Sequence, residues 1–268
     1  MRSLLIVIAT AAVGFAQPDA RELVRQSIHN GERSWARSFD YFCEENDVTK
    51  EYNSNGMVKS VDEDLSQVIP LGNGSSFQMP LKHDNEPVTP AVRAKAEHEL
   101  ALRRAETPAQ KRHRFQRLVA ERSYMKEVPD AFNFKILRTD NLPTGPAWVI
   151  RATPRPGYQA KSRYSHMFPY MEGTLWVDKK DVQWVKADAI ATSTVTFGVF
   201  IARLAKGSHI VLEQQKLADG DWVPAKMEAR ASARTFVFWL HNFREDVTYT
   251  NYHLGNATSA SLRVSNSK

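Results

Sequence analysis

The fold is decided by two short apolar segments, Gly173-Thr174-Leu175-Trp176-Val177-Asp178 and Val182-Gln183-Trp184-Val185-Lys186. Both are rich in the β-branched and aromatic residues that favour strands. The polar pair Lys179-Lys180 divides them, and a link this short joins neighbouring strands in antiparallel orientation. The sequence therefore predicts a β-hairpin with strands over residues 172–178 and 181–190.

The same pattern continues on both sides of this hairpin, so that almost all of residues 132–252 is predicted to be strand. Short polar links such as Lys206-Gly207 and Asp219-Gly220 divide the strands and again require antiparallel neighbours. The result is an antiparallel meander. Its predicted strands are residues 132–139, 147–153, 172–178, 181–190, 193–204, 208–217, 222–231, 234–244 and 246–253.

The segment before this meander combines a short helix with further strands. Asp19 is placed to cap a helix whose apolar residues recur at i, i+3 and i+4, and Gly31 is expected to end it. Partial alternation predicts a strand over residues 35–43. Asn55-Gly56 is a strong hairpin signal. The predicted strands around it are residues 48–52, 57–61, 65–71 and 77–81.

A charged helix pair lies between these strands and the meander. Thr89-Pro90 and Thr107-Pro108 each provide a helix N-cap followed by proline at the first helical position. Gln110 is placed to complete a capping box. We therefore predict consecutive helices over residues 90–106 and 108–122. Their apolar stripe is thin, which indicates a surface position with solvated charges.

Several predicted strands are apolar on both sides, as in Leu175-Trp176-Val177 and in residues 236–240. A sheet with one face in water would alternate cleanly, so both faces require cover. Two architectures satisfy this pattern. One is an ordinary core packed on both faces. The other is a strongly curved sheet whose concave side is covered by helices and takes an apolar ligand.

The N-terminus has the form of a cleavable secretory signal over residues 1–16. Arg2 precedes an apolar run about half as long as a helix that spans a bilayer. Gly14 and Ala16 then place small side chains at the two positions that a signal peptidase recognises. We expect cleavage after Ala16 and release into the periplasm. The expected mature protein is one domain over residues 17–255 with a flexible tail over residues 256–268.

Composition narrows the classes of function. Loss of Arg2 leaves 35 basic and 30 acidic residues, without the clustered basic stripe of a nucleic-acid-binding protein, so no nucleic acid partner is expected. This mild basicity suits contact with anionic lipid head groups or simple solubility. The single cysteine, Cys43, excludes an internal disulfide, and its apolar neighbours indicate an inert thiol.

The sequence contains no recognisable catalytic or metal-binding pattern. It has no Gly-x-Ser-x-Gly elbow, no His-Glu-x-x-His motif and no glycine-rich phosphate loop, and its eight histidines are scattered. Asp62-Glu63-Asp64 is interpreted as a solvated turn rather than a cation site. We therefore expect a non-catalytic protein without metal or cofactor. A hydrolase assembled from distant residues is the less favoured alternative.

The hairpin over residues 173–186 resembles a motif of the outer-membrane lipoprotein-sorting proteins, the LolA-like superfamily of periplasmic lipoprotein carriers. In that motif, Gly-x-Leu-Trp-[Ile/Val]-Asp is followed by Trp-Val-[Lys/Arg]. Residues 154–158 and 197–206 resemble an uncharacterised secreted bacterial subgroup. The resemblance implies a mainly β fold with a helical insertion: a half-open β-barrel, or strongly curved antiparallel sheet, with helices covering its concave side.

The resemblance also implies an apolar cavity for acyl chains, and hence a carrier or sensor for lipid or lipidated protein. Strand aromatics would contact the chains, and basic residues near the mouth would meet phosphate head groups or a partner. The candidate cavity residues are Trp176, Trp184, Phe197, Phe200, Phe236, Phe238 and Tyr249. The candidate head-group or partner contacts are Arg155, Lys161 and Arg163.

A second hypothesis treats the same scaffold as a protein-interaction or regulatory module of the envelope. In this hypothesis the basic helix pair, residues 90–122, docks a protein partner. Charge reversal at Arg103, Arg104 and Arg114 is then expected to abolish capture of the partner while sparing lipid binding. Contact with the membrane is expected to be peripheral at most.

Overall fold

The computed structural model describes residues 18–72, 74–197, 202–235 and 239–255. The predicted signal peptide, residues 1–16, and the predicted tail, residues 256–268, lie outside the described residues. Three candidate cavity residues also lie outside them: Phe200, Phe236 and Phe238. Among the described residues, no helix is both long enough and apolar enough to cross a membrane.

The described strands form one antiparallel sheet. They are β1 (Tyr41–Tyr52), β2 (Val58–Pro70), β3 (Ser76–His83), β4 (Glu86–Pro87), β5 (Phe132–Leu142), β6 (Gly145–Pro154), β7 (Met171–Asp178), β8 (Trp184–Ala191), β9 (Val195–Phe197), β10 (Ala202–Leu204), β11 (His209–Lys216), β12 (Trp222–Thr235) and β13 (Trp239–Leu254). The main path has the order β4-β3-β2-β1-β13-β12-β11-β8-β7-β6-β5. Because β4 and β5 stand at its two ends, the described sheet is open rather than closed into a barrel.

Four α-helices accompany this sheet in the described part of the chain: α1 (Ala20–Ser38), α2 (Pro90–Arg104), α3 (Pro108–Glu121) and α4 (Val128–Ala131). Short 3-10 turns cover Arg122–Glu127 and Ser165–Tyr170. The helix caps form as predicted, since the Asp19 side chain accepts a hydrogen bond from the Arg21 backbone and Thr107 forms its capping box with Gln110. The mainly β class with a helical insertion is therefore confirmed.

The local turn signals are also confirmed. Gly56 has a φ of +77°, a conformation that favours glycine. The side chain of Asn53 accepts hydrogen bonds from the backbone of Asn55 and of Met57, each at 3.0 Å, so the β1–β2 hairpin forms where it was predicted. The motif hairpin forms between β7 and β8.

Three local predictions are wrong. Residues 35–38 belong to α1, and Gly31 lies inside that helix instead of ending it, because the glycine serves close packing on the sheet. Residues 193–204 fold back as two short strands, β9 and β10, that pair with each other. Asp62-Glu63-Asp64 lies within β2 rather than in a turn, because this segment pairs with β1.

One face of the sheet, called the inner face from here on, is covered by α1. Leu23, Val24 and Ile28 of this helix pack against Ile150 of β6 and Val177 of β7. Full burial of such side chains contributes about 1.5–3 kcal/mol each. The helix also contacts β5, β8 and β12, so it lies across several strands.

The inner face changes character across the sheet. Directly opposed residues of neighbouring strands point to the same face, and the strand register therefore identifies one row of side chains running from β7 to β2. The row is Leu175, Ala187, Leu212, Met227, Val247, Asp47 and Asp64. It is apolar as far as β13 and acidic on β1 and β2.

Candidate functional site

An apolar cavity of about 580 Å³ lies between α1 and the apolar part of the inner face. Its lining comes from α1, the end of α3, the segment that leads into β5, and the strands β5 to β8 and β11. Charged side chains are few, and the aliphatic and aromatic ones dominate. Its volume lies within the usual range of ligand pockets. This space is called the apolar cavity below.

Small residues on the floor of the apolar cavity leave its space open. Ala187 and Ala189 of β8 lie opposite Leu175 and Gly173 of β7. Bulky side chains surround this floor and close the cavity at its sides. They include Phe132, Phe134, Met167, Phe168, Trp184 and Leu212. The cavity therefore results from a pattern of small and large residues on neighbouring strands.

Trp184 forms one wall of the apolar cavity and is only 8% exposed. Its ring nitrogen has no hydrogen-bond partner among the described residues. The nitrogen faces Gly31 of α1, where an added Cβ would come within 2.4 Å of it. A buried indole N–H without an acceptor costs free energy, so close packing, not hydrogen bonding, holds this side chain in place.

The loop between β6 and β7, residues 155–170, closes one end of the apolar cavity and is called the mouth loop below. Tyr164, Met167 and Phe168 of this loop line the cavity. Phe168 is buried in a cluster with Ala131 and Phe132. Tyr164, in contrast, is 39% exposed, which places it where the cavity meets the protein surface.

A buried carboxylate anchors the mouth loop from below. Glu127 is 8% exposed and accepts hydrogen bonds from the Tyr158 hydroxyl and from the Lys161 backbone N–H. Burial alone would raise the pKa of this carboxyl group, but the hydrogen bonds donated by Ser162, Tyr158 and the Lys161 backbone lower it to about 2. Glu127 is therefore ionised at neutral pH and fixes the backbone of the loop.

The three candidate head-group contacts all lie on the mouth loop, and all three side chains are exposed. The backbone N–H of Arg155 donates to the carbonyl oxygen of Ala131 at 2.9 Å. The guanidinium of Arg163 lies 5.8 Å from the centre of the Tyr164 ring. The structure thus places Arg155, Lys161 and Arg163 on one anchored loop beside the apolar cavity.

A second cavity of about 780 Å³, called the polar cavity below, adjoins the first. Helices α2 and α3 contribute basic side chains to it. Two of these, Arg103 and Arg114, form ion pairs with Glu106. The strands contribute Glu45 and Tyr249 from β1 and β13. This lining of mixed charge differs clearly from that of the apolar cavity.

The strands beneath the polar cavity carry ionisable groups with perturbed pKa values. Burial raises the pKa of Glu45, although its carboxylate accepts a hydrogen bond from Gln78 at 2.6 Å. Burial raises the pKa of Cys43 to about 11, so its reactive thiolate is scarce at neutral pH. Burial also raises the pKa of Asp47 and of Glu245, and the charge of Asp47 adds to the rise at Glu245.

Trp35 separates the two cavities together with Leu118 and Glu121, because these three residues line both. Its ring stacks on Phe115 of α3, with centroids 6.1 Å apart and planes 13° apart. The guanidinium of Arg122 lies 5.0 Å from the same ring. Since α3 has no buried residue among those described, the stacking of Phe115 on Trp35 is one of the contacts that hold this helix to α1.

The candidate cavity aromatics do not form one site. Trp184 lines the apolar cavity, whereas Tyr249 lines the polar cavity. Trp176 lines neither of them. It points to the face opposite Leu175, and its ring nitrogen donates a hydrogen bond to Asp140 at 3.0 Å.

The remaining candidate aromatics cannot be placed against either cavity. Phe197 belongs to β9, but its side chain lies outside the description. Phe200, Phe236 and Phe238 lie outside it entirely. The described site therefore depends on residues from other parts of the chain.

Sequence reasoning missed the residues that shape the apolar cavity most. The segment Ala187-Asp188-Ala189-Ile190-Ala191 held the available signal, because small residues at every second position of a strand indicate a hollow on that face. Trp35 gave no such signal, since it was assigned to a strand. Its place between two cavities depends on the extension of α1 to Ser38.

The described residues contain no group of three or more His, Cys, Asp or Glu side chains arranged to hold a metal ion. One imidazole–carboxylate pair lies near the apolar cavity, where His209 Nε2 and Asp188 Oδ1 are 2.7 Å apart. Among the described residues, no serine hydroxyl is hydrogen-bonded to this imidazole.

Structural comparisons find similar folds over most of the chain. A LolA superfamily protein from Nitrosomonas europaea is 12% identical, with coverage of 90% of this chain and 95% of that chain and a TM-score of 0.35. An outer membrane lipoprotein-sorting domain from Vibrio parahaemolyticus is 8% identical, with 90% and 98% coverage and a TM-score of 0.31. MucB in complex with the periplasmic part of MucA is 9% identical, with 89% and 100% coverage and a TM-score of 0.25.

These structural similarities extend over about nine-tenths of the chain. No model of a known protein family matches the sequence, and no curated protein matches it at a significant level.

Proposed function

We propose that this protein is a non-catalytic binding protein of the bacterial envelope that holds an acyl chain of a lipid or lipidated protein in the apolar cavity. The observation that carries this proposal is the cavity of about 580 Å³ between α1 and the sheet, with small residues on its floor and an almost wholly apolar lining. A packed core would have larger side chains at Ala187 and Ala189. The proposed location in the bacterial envelope depends on the secretory signal that is expected over residues 1–16.

The energetics favour a long apolar ligand over a small polar one. Each methylene group transferred from water into an apolar site contributes about 0.8 kcal/mol. A polar ligand would lose hydrogen bonds to water without replacement, because the lining has few polar side chains. An acyl chain therefore fits the chemistry of this space.

The proposal is tested by filling the cavity. Ala189→Trp adds an indole to the floor, whereas Ala94→Trp adds the same group at an exposed position of α2. We expect Ala189→Trp to abolish uptake of a fluorescent fatty acid and Ala94→Trp to leave it unchanged. Circular dichroism and thermal unfolding of both variants separate loss of binding from loss of the fold.

Native mass spectrometry of the mature protein provides a second test. An adduct of lipid mass that is lost on denaturation supports the proposal. Trp184→Asp introduces a charge into the cavity wall and is expected to abolish that adduct. Absence of lipid uptake by the wild-type protein, or full uptake by the folded Ala189→Trp variant, would contradict the proposed function.

A protein-interaction role for α2 and α3 is the second candidate function. It is favoured by the exposed basic surface of α3, which has no buried residue among those described. Since Arg103 and Arg114 already pair with Glu106, charge reversal at Arg104 and Arg112 tests this surface with less disturbance. Loss of a protein partner with unchanged fatty acid uptake would support this second role.

A further inference from the structure

The mouth loop has a composition that differs from the rest of the surface. Residues 154–171 contain three basic residues, Arg155, Lys161 and Arg163, and no acidic residue. All three basic side chains are exposed, and none has an ion pair among the described residues. The nearest acidic residues along the chain are Asp140, before the loop, and Glu172, after it. The loop therefore presents a local positive surface.

We infer that the mouth loop docks the protein onto an anionic membrane surface, with the entrance of the apolar cavity turned towards the bilayer. The occupant of this surface is the head-group layer of a membrane rich in anionic lipid. Each basic residue near such a surface strengthens attachment, and the attraction falls off within a Debye length. The inference rests on the proposed function, to which it adds a route for the ligand.

Two exposed aromatic residues support a membrane rather than a protein partner. Tyr164 and Tyr170 are 39% and 45% exposed, and both belong to the mouth loop. Tyrosine is favoured at the level of the lipid head groups, because its ring is apolar and its hydroxyl is polar. The same loop thus offers positive charge and interfacial rings side by side.

The loop is held in position before it meets a membrane. Glu127 holds it from below by accepting hydrogen bonds from the Tyr158 hydroxyl and the Lys161 backbone N–H. Within the loop, the Ser165 hydroxyl accepts a hydrogen bond from the Ser162 backbone N–H, and the Phe168 side chain is buried. Because the backbone is already ordered, little conformational entropy is lost when the charged side chains meet a surface.

The position of Tyr164 connects docking with ligand entry. This side chain lines the apolar cavity, is partly exposed, and lies beneath the Arg163 guanidinium. A membrane in contact with Arg163 is therefore also in contact with the cavity entrance. An acyl chain could pass from the bilayer into the cavity with little exposure to water.

Vesicle flotation tests the inference with the mature full-length protein. Phosphatidylcholine vesicles with and without phosphatidylglycerol serve as probes, each at low and at physiological salt. The loop variant is Arg155→Glu/Lys161→Glu/Arg163→Glu. The control is Arg104→Glu/Lys111→Glu/Arg112→Glu, which changes the net charge by the same amount as the loop variant. These three residues lie on α2 and α3 and form no ion pair with any described residue. We expect the loop variant to bind phosphatidylglycerol vesicles about 100-fold more weakly, and the control less than threefold.

Equal losses in the two variants, or wild-type binding that does not depend on phosphatidylglycerol, would overturn the inference. The neutral variant Arg155→Gln/Lys161→Gln/Arg163→Gln repeats the test without charge reversal if the first variant does not fold. Fatty acid uptake measured without vesicles distinguishes this inference from the proposed function. Normal fatty acid uptake without vesicle binding contradicts only the docking inference. Vesicle binding without fatty acid uptake contradicts the proposed function.

Discussion

Gly31 of α1 packs directly against the indole ring of Trp184 on β8, so closely that a methyl group on the glycine would lie 2.4 Å from the ring nitrogen. A Cβ atom essentially never lies within 3.0 Å of a non-bonded heavy atom in protein structures. The glycine lets the helix approach the sheet, and the indole remains in the wall of the apolar cavity. One residue of a helix thus sets the position of a cavity residue far away in the sequence.

Gly31→Ala is expected to destabilise the protein, although alanine favours a helix interior over glycine by about 1 kcal/mol. The added methyl group must displace Trp184 or α1, and overpacking of this kind costs about 1–3 kcal/mol. We expect a lower Tm and weaker fatty acid uptake. Thermal unfolding and a binding titration on the same samples measure both effects.

The control for this prediction is the double variant Gly31→Ala/Trp184→Phe. The smaller phenyl ring leaves room for the methyl group, so the double variant should lose less stability than the two single variants predict together. A higher Tm for Gly31→Ala alone would contradict the close contact.

Local signals in the sequence predicted much of this fold. The Thr107 capping box, the Asn55-Gly56 turn and the β7–β8 hairpin each depend on residues close together in the chain, and each forms as expected. Gly31 was misinterpreted as a helix end because its role depends on Trp184, more than 150 residues away. Local patterns cannot reveal a contact at that distance.

The candidate site was predicted less well, for a related reason. Trp184 and the basic residues of the mouth loop were chosen for their chemical type, and they lie at or beside the apolar cavity. Trp176 was chosen for the same reason, but alternation along β7 turns it to the other face. A cavity depends equally on where large side chains are missing, which a search for aromatic residues overlooks.

Glu127→Gln is expected to loosen the mouth loop. A neutral amide replaces a carboxylate that accepts hydrogen bonds from Tyr158 and Lys161, and loss of such charge-assisted bonds costs about 2 kcal/mol. We expect faster trypsin cleavage after Lys161 and Arg163, whereas Pro156 protects the bond after Arg155. Timed proteolysis with mass spectrometry identifies the cut sites, and Glu121→Gln, at an exposed position, is the control.

The same carboxylate predicts a pH dependence with a definite sign. Its pKa in the folded protein is lowered to about 2 from the ordinary value of 4.5. The stability that it contributes is therefore complete above about pH 4.5 and is lost as the pH falls towards 2. Urea unfolding should show a large difference between wild type and Glu127→Gln at pH 7 and a smaller one at pH 3. An equal difference at both pH values would contradict the assignment.

Asp47 and Glu245 are expected to oppose folding at neutral pH. Burial raises the pKa of both carboxyl groups in the folded protein, so the folded state binds protons more readily than the unfolded state. These two groups therefore destabilise the folded protein little at acidic pH, and the destabilisation grows as the pH rises through the raised pKa values. Asp47→Asn should therefore raise the Tm at pH 7.5 by about 2 °C.

Asp62→Asn is the matched control for this change, because it removes the same charge from an exposed position of β2. The gain from Asp47→Asn should shrink at pH 4, where protonation already relieves the repulsion. A lower Tm for Asp47→Asn at pH 7.5 would contradict the prediction that these buried charges oppose folding.

Trp35→Ala is expected to join the two cavities. The indole stands between the apolar cavity of about 580 Å³ and the polar cavity of about 780 Å³, and its removal also ends the stacking on Phe115. The enlarged space should accept a two-chain phospholipid more readily than the wild-type site does. Native mass spectrometry with equal amounts of a fatty acid and a phospholipid measures the ratio of the two adducts, which should shift towards the phospholipid in Trp35→Ala.

Phe39→Ala is the control, because Phe39 contacts the same indole but lines only the polar cavity. An unchanged ratio in a folded Trp35→Ala variant would show that Trp35 does not limit the size of the ligand.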